Sequence, residues 1–225
     1  MPGPLPNMKK LTFALVLLLM GMSRGLLAQE EYAMYENRTF YGGLIAGVNL
    51  TQIDGDNFAG YSRKGMNVGG VVFFKMDEHI AGSIEVLLSQ KGSVSKEPQM
   101  LAAGYYITKY GADLTYGEIP LMINYFDDHK NHFGGGFSYS RLGTSNEYIT
   151  TNPPQTTPLD QTKYPFRKND FQLLLGGSAH LYKGFFLNLR FQYSLLSIRD
   201  NIPNITKGAQ YNNMWTVRLM YLFMK

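Results

Sequence analysis

Asp127, Asp128, His129 and His132 stand close together in this sequence and form its one cluster of metal-type ligands. A carboxylate and imidazole set of this kind can hold zinc, which takes about four nitrogen, oxygen or sulfur donors in a tetrahedron. The spacing is loose, however, and no helix or hairpin template orders the donors. A solvated tight turn is the expected reading, because turns favour Asp and Asn on conformational grounds. No cysteine is present, so thiolate metal sites and disulfides are both excluded. Gly134, Gly135 and Gly136 are not followed by the Lys-Ser/Thr of a phosphate loop, and they read as relief of crowding within a strand. No Ser-His-Asp arrangement is apparent, and the expectation is no catalytic, cofactor-binding or metal site.

A second set of charges is more informative. Glu85, Glu118, Arg190 and Arg218 each interrupt an apolar segment and each falls on its polar face. In Gly184 to Leu195, Phe185, Leu187, Leu189, Phe191, Tyr193 and Leu195 share one face while Asn188, Arg190, Gln192 and Ser194 share the other. A period of two is a strand. One wholly apolar face beside a face carrying Arg and Asn suits a wall between lipid and a polar lumen, since only a closed barrel satisfies every strand hydrogen bond inside a bilayer.

Eight such segments are expected, at Phe40 to Leu50, Lys64 to Met76, Ile80 to Gly92, Asp113 to Phe126, His132 to Leu142, Asp170 to Leu181, Gly184 to Leu195 and Tyr211 to Phe223. In Ile80 to Gly92, Ile80, Ile84, Val86 and Leu88 oppose Ser83, Glu85, Ser89 and Lys91. In the last segment Trp215, Val217, Leu219, Tyr221 and Phe223 oppose Thr216 and Arg218, with Leu174, Met220 and Leu222 breaking the polar sets. The connections Asp77 to His79, Asp127 to Asn131 and Tyr182 to Lys183 are tight. Thr51 to Arg63, Ser93 to Ala112, Gly143 to Asn169 and Leu196 to Gln210 are long. Short and long links alternate, as in outer-membrane barrels with short periplasmic turns and long outer loops, so both termini are expected in the periplasm. The fold class is therefore all-β, an eight-stranded antiparallel up-and-down transmembrane β-barrel.

With that order, the third segment faces the seventh and the fourth faces the eighth. Glu85 is expected to meet Arg190, and Glu118 to meet Arg218, across the lumen. An eight-stranded barrel has room only for side chains, so these charges plug it. A proton or ion path is the alternative. His79, His129 and His132 fall at the tight turns and His180 near that end of its strand, away from the outer leaflet where a lipid-modifying enzyme would need its base and nucleophile.

Residues 1–28 read as a secretory signal peptide: Lys9 and Lys10, an uncharged run from Leu11 to Met22, and Ala28 at the expected cleavage position. The run is shorter than the ~20 apolar residues of a spanning helix. Residues 29–39 form a periplasmic lead and 40–225 the barrel. Cleavage removes Lys9, Lys10 and Arg24, so 21 basic residues become 18 against 17 acidic ones. The basic charge belongs to the leader, and no cluster of Lys and Arg with interleaved aromatics points to nucleic acid. Asn37-Arg38-Thr39, Asn49-Leu50-Thr51 and Asn204-Ile205-Thr206 match the glycosylation sequon by chance.

The segments Gly42-Gly43-Leu44-Ile45-Ala46-Gly47-Val48-Asn49, Glu85-Val86-Leu87-Leu88-Ser89-Gln90-Lys91-Gly92 and Tyr116-Gly117-Glu118-Ile119-Pro120-Leu121 resemble the Bacteroidetes outer-membrane β-barrel family often labelled PorT-like. The resemblance covers about residues 40 to 225. It implies an eight-stranded outer-membrane barrel and, through the type member, a link to protein secretion with secretion-system proteins as partners. Fold does not fix function. The aromatic C-terminal strand suits recognition by barrel-insertion machinery. The loop from Gly143 to Asn169 has a Thr/Pro run and then Tyr164, Pro165, Phe166, Arg167 and Lys168, which suit the level of lipid headgroups and lipopolysaccharide phosphates. The expected role is structural or interactive, with a small channel as a rival. A soluble lipocalin-like binder inverts the same pattern, apolar face inward, and stays open.

Overall fold

The computed structural model describes residues 38–58, 60–95, 98–100, 106–154, 162–203 and 205–223. The signal peptide and its cleavage site, most of the lead, and part of the Thr/Pro run lie outside the described residues. The strands are β1 (Phe40–Asp54), β2 (Arg63–Lys75), β3 (Ile80–Val94), β4 (Gln99–Met100), β5 (Tyr106–Phe126), β6 (His132–Asn152), β7 (Asn169–Tyr182), β8 (Phe185–Ser194) and β9 (Tyr211–Leu222). All pairings are antiparallel. β1 joins both β2 and β9, and β3 joins β5, so eight strands close a ring while the two-residue β4 only rides on β5. Closure leaves no edge within the ring, which is the condition for crossing a bilayer with strands.

The eight expected strands are all present. Two are much longer than the pattern suggested: β5 and β6 have 21 residues each, about 70 Å at ~3.3 Å per residue, when ~9–11 span a membrane. Residues 106–112 and 143–152, expected in loops, instead extend this pair beyond the ring. The reason is a reversal of polarity. In the lower part of β5, Ile119, Leu121, Ile123 and Tyr125 point out and Glu118 and Asn124 point in. Above Glu118 the same inward face turns apolar, with Tyr116, Leu114, Ala112 and Tyr110 all buried. The strand continues, but the side of it that seeks water changes.

Two glycines show how tightly the wall is drawn. A Cβ on Gly47 would lie 2.4 Å from the Val217 carbonyl oxygen and 2.7 Å from the Arg218 side chain, its register partner on β9. One on Gly136 would lie 2.0 Å from the Leu121 carbonyl oxygen. Any side chain at either position would force neighbouring strands apart.

Outside, aromatic side chains gather at two levels. Near the tight turns Phe185 packs on Tyr221 and Tyr125 on Phe133, and toward the long loops Tyr139 packs on Phe171 and Phe191 on Trp215. From Tyr221 to Trp215 is about 20 Å of strand, which a tilt of ~40° converts to roughly 15 Å of height, and the outward aromatics continue to Tyr211, stacked on Tyr193, at roughly 25 Å. Between the levels the wall is exposed and apolar, with Val86 66 % and Leu189 50 % exposed.

Candidate functional site

The interior of the ring is stacked in three layers. Midway along it, strand alternation turns Glu85, Glu118, Arg190 and Arg218 inward, each 3 % exposed or less. Glu85 accepts from Arg190 at 2.6 and 2.9 Å and from Arg218 at 2.8 and 3.3 Å. Glu118 does not meet Arg218. Its partner is Lys91 on the neighbouring β3, with Nζ to Oε2 at 3.0 Å, and its other oxygen accepts from Ser138 and Gln192. Two arginines on β8 and β9 thus converge on one carboxylate, and the lysine neutralises the second.

Strand stagger explains the difference. Arg218 sits beside Asn188 in the β8–β9 register, and its Nε donates to the Asn188 side-chain oxygen at 2.8 Å, which holds the guanidinium at the level of Glu85. Lys91 lies six residues further along β3 than Glu85, toward the long loops, and donates to Gln172 at 2.6 Å and Ser140 at 3.3 Å. Lys91 was already on the polar face in the sequence. Assigning its partner needed the shear of the barrel, which residue order alone does not give.

Toward the tight turns the lumen is filled by rings. His132 stacks on Phe126 at 4.5 Å between centroids and approaches Phe73 and Phe186 at 5.5 and 5.6 Å. It is therefore not part of a solvated turn, as the sequence suggested. It pairs with Phe126 at the first rung of β5–β6 and shares the inward face with Ser138 and Ser140. Asp127 serves the turn instead, accepting from the backbone of His129 and Asn131 and from the Asn131 side chain. Among the described residues no three His, Cys, Asp or Glu side chains converge as a metal site. Between this layer and the charges lies a cavity of about 10 Å³ bordered by Glu85, His132, Arg190 and Arg218. That is room for about one water.

The third layer is a cap over the long-loop end. Ile53, Phe58, Ile107, Tyr110, Leu114 and Ile198 form one apolar cluster, with Phe58 and Tyr110 stacked at 4.3 Å. The β8–β9 connection is locked to it. Arg199 donates to both oxygens of Glu147 at 2.7 and 2.9 Å and to the Tyr164 carbonyl at 2.8 Å, and its guanidinium lies 4.2 Å from the Phe166 ring centre. Tyr110 adds an O–H donor to Glu147 at 2.7 Å, and burial with that carboxylate beside it holds the phenol well above its ordinary pKa. Arg199 ties the β8–β9 connection to β6 and to the β6–β7 connection. The sequence drew no attention to Arg199 or Glu147, because neither lies in an alternating segment of the lipid-facing kind.

Asp56, in the β1–β2 connection, lies under this cap. Burial pushes its carboxyl up to about 6, against the lowering effect of the Phe58 amide that donates to it at 2.8 Å. Asp54 also raises it and Lys207 lowers it.

No protein-family model matches this sequence, and no curated protein matches it. Among solved structures the chain is similar to Ail, the attachment invasion locus protein of Yersinia pestis, with a TM-score of 0.44 and 10 % identity over 83 % of this chain and 100 % of that one. It is also similar to Neisserial surface protein A, with a TM-score of 0.41 and 10 % identity over 83 % of this chain and 98 % of that one. A further likeness is to the outer membrane protein AlkL, with a TM-score of 0.39 and 13 % identity over 87 % and 96 % of the two chains. The ring and its layers rest on this chain's own strand register.

Proposed function

We propose that this protein is an integral outer-membrane barrel with a sealed lumen, which holds a rigid capped platform at its long-loop end and acts through that surface rather than by catalysis. The observation that carries the reading is the reversal of polarity at Glu118. Below it the ring is apolar outside and charged inside. Above it the apolar side faces inward, as in a protein surrounded by water. A lipocalin-like barrel in water has no reason to change sign along one strand, whereas a barrel leaving a bilayer must. The outward aromatics from Tyr221 to Tyr211, which span about the height of a hydrocarbon core, support the same boundary.

The filled interior argues for a platform over a pore. Each of its acids is ion-paired, Glu85 with Arg190 and Arg218 and Glu118 with Lys91, and aromatic and apolar layers close both ends. Paired buried charges hold one geometry because an unpaired one is costly. The cap carries its polar face outward on β6, where Thr144, Ser145, Asn146 and Tyr148 are exposed. The long loops then face outside the cell and both termini face the periplasm.

The test is reconstitution into planar bilayers. Protein whose gel migration shifts on heating, the mark of a folded barrel, is expected to insert and give no single-channel steps. Regular ohmic steps would overturn the sealed lumen.

A further inference from the structure

β5 and β6 carry one face from the lipid wall into the space above it. Directly paired residues share a face, and on the outer one Leu121 stands beside Phe137 and Ile119 beside Tyr139, at the aromatic level nearer the long loops. Next come Gly117 and Arg141, where β6 leaves β7 after its last rung with Asn169. Beyond a shift of register, the same column continues with Thr115 beside Thr144, Asp113 beside Asn146 and Gly111 beside Tyr148. The alternate residues Tyr110, Ala112 and Leu114 are buried in the cap, so the column points away from it. Apolar side chains therefore give way to Thr, Asn and Tyr on one unbroken surface, with about 26 Å of strand from Tyr139 to Tyr148.

Tyr148 lies flat on this surface. A Cβ on Gly111 would be 2.3 Å from Tyr148 Cζ, 2.4 Å from Oη and 2.6 Å from Cε1. Distances so nearly equal put that Cβ over the ring rather than at its rim, so one ring face covers the glycine. The other face is open, and the residue is 46 % exposed. Thr144 and Asn146, below it in the column, are exposed, and their side chains have no hydrogen-bond partner among the described residues. Asp113 is ion-paired with Arg63, which leaves the column uncharged from Thr144 to Tyr148. Tyr106, the register partner of Asn152, is also exposed and extends the face about 13 Å past Tyr148.

We propose that this outer face of β5 and β6 binds the oligosaccharide of an outer-leaflet glycolipid, with a sugar ring stacked on Tyr148 and its hydroxyls bonded by Thr144 and Asn146. The negative face of an aromatic ring attracts the C–H groups on one side of a sugar ring. Hydroxyl and amide side chains both donate and accept, as sugar hydroxyls require. Continuity with the wall selects the source. A lipid whose chains lie against Leu121 and Phe137 carries its sugars up the same column, where tethering raises their effective concentration. The proposal rests on the membrane-spanning reading above and names what the surface above the bilayer holds.

The experiment uses full-length protein folded in detergent and shown by heat-shifted gel migration to be a closed barrel. Lipid A is added either bare or bearing its core oligosaccharide, and native mass spectrometry counts the copies retained. The core-bearing lipid is expected to be retained at least tenfold better, and that advantage to vanish in Y148A and in T144A/N146A. Y182A, which removes an exposed tyrosine at the tight-turn end, is expected to keep it. Every variant must keep the heat-shifted migration. The oligosaccharide released from its lipid is expected to bind at least tenfold more weakly than the whole molecule. Equal retention of bare and core-bearing lipid A would leave the face to a protein partner and overturn the proposal, as would an advantage that survives in both folded variants. Free oligosaccharide binding as tightly as the whole molecule would overturn the lipid-borne source. Failure of the wild type to insert into liposomes would instead overturn the membrane reading.

Discussion

Glu85 and Arg190 meet across the lumen from β3 and β8, with the carboxylate 2.6 Å from the guanidinium and each group 3 % exposed or less. Arg218 shares the same carboxylate at 2.8 Å, so both buried guanidiniums bond Glu85. Removing it strands both.

Glu85→Gln should therefore lower stability by about 3–5 kcal/mol, the usual cost of leaving a buried charge without its partner. Replacing all three residues together by Met should cost far less, because no uncompensated charge remains. Urea unfolding in detergent micelles, followed by the loss of heat-shifted migration, measures both. A single variant that unfolds at the wild-type urea concentration would show that the lumen charges do not hold the wall.

The lipid face gives a depth-dependent prediction. Leu189 lies between the two aromatic levels and is 50 % exposed, so Leu189→Arg should destabilise the inserted barrel by about 2–4 kcal/mol. Leu196, beyond the end of β8 at the loop end, should tolerate Arg at a cost of about 0–1 kcal/mol. Refolding equilibria into liposomes read the difference. Equal costs at the two positions would place no hydrocarbon boundary between them.

Gly136 and Gly117 form a matched pair. A Cβ at Gly136 would press to 2.0 Å on the Leu121 carbonyl oxygen, while one at Gly117 meets nothing within 4 Å. Gly136→Ala should cost about 1–3 kcal/mol through displaced strands, and Gly117→Ala should be close to neutral. Thermal midpoints of the two variants in one detergent decide this.

How much of this was legible in the sequence depends on which side of the strand faced what. Where lipid lies outside, as for Ile84, Val86 and Leu88 on β3, alternation marked both the strand and its lumen face, and Glu85, Glu118, Arg190 and Arg218 all point inward. Above Glu118 the same alternation continues with the opposite sign. Tyr110 and Ala112 then look like a loop to a reading that seeks outward apolar residues, while Leu114 and Tyr116 lie inside the expected strand Asp113 to Phe126. His132 was misplaced for a different reason. Its position beside a turn outweighed its parity with Ser138, which in fact decides its direction. The Glu118–Lys91 pair was out of reach because strand order fixes which strands are neighbours but not how far each is sheared.

The cap should respond to pH through Asp56. Its folded pKa, raised to about 6, exceeds the ordinary 3.8, so the folded state holds the proton more tightly than the unfolded one. The group therefore favours the closed cap at low pH, and that contribution is lost as pH rises from about 4 through 6. Hydrogen exchange at the Phe58 amide should speed up relative to its intrinsic rate over that interval, and Asp56→Asn should flatten the profile. A profile that is already flat in the wild type would remove Asp56 from the account.

The central claim is that lipid covers the wall between the two aromatic levels, and the chain carries its own probe in its single tryptophan, Trp215, which is 40 % exposed at the level nearer the long loops. In liposomes containing brominated lipids, Trp215 emission is predicted to be quenched and to be insensitive to aqueous iodide. Quenching by iodide with none from the brominated lipids would put that face in water and contradict a membrane-spanning barrel.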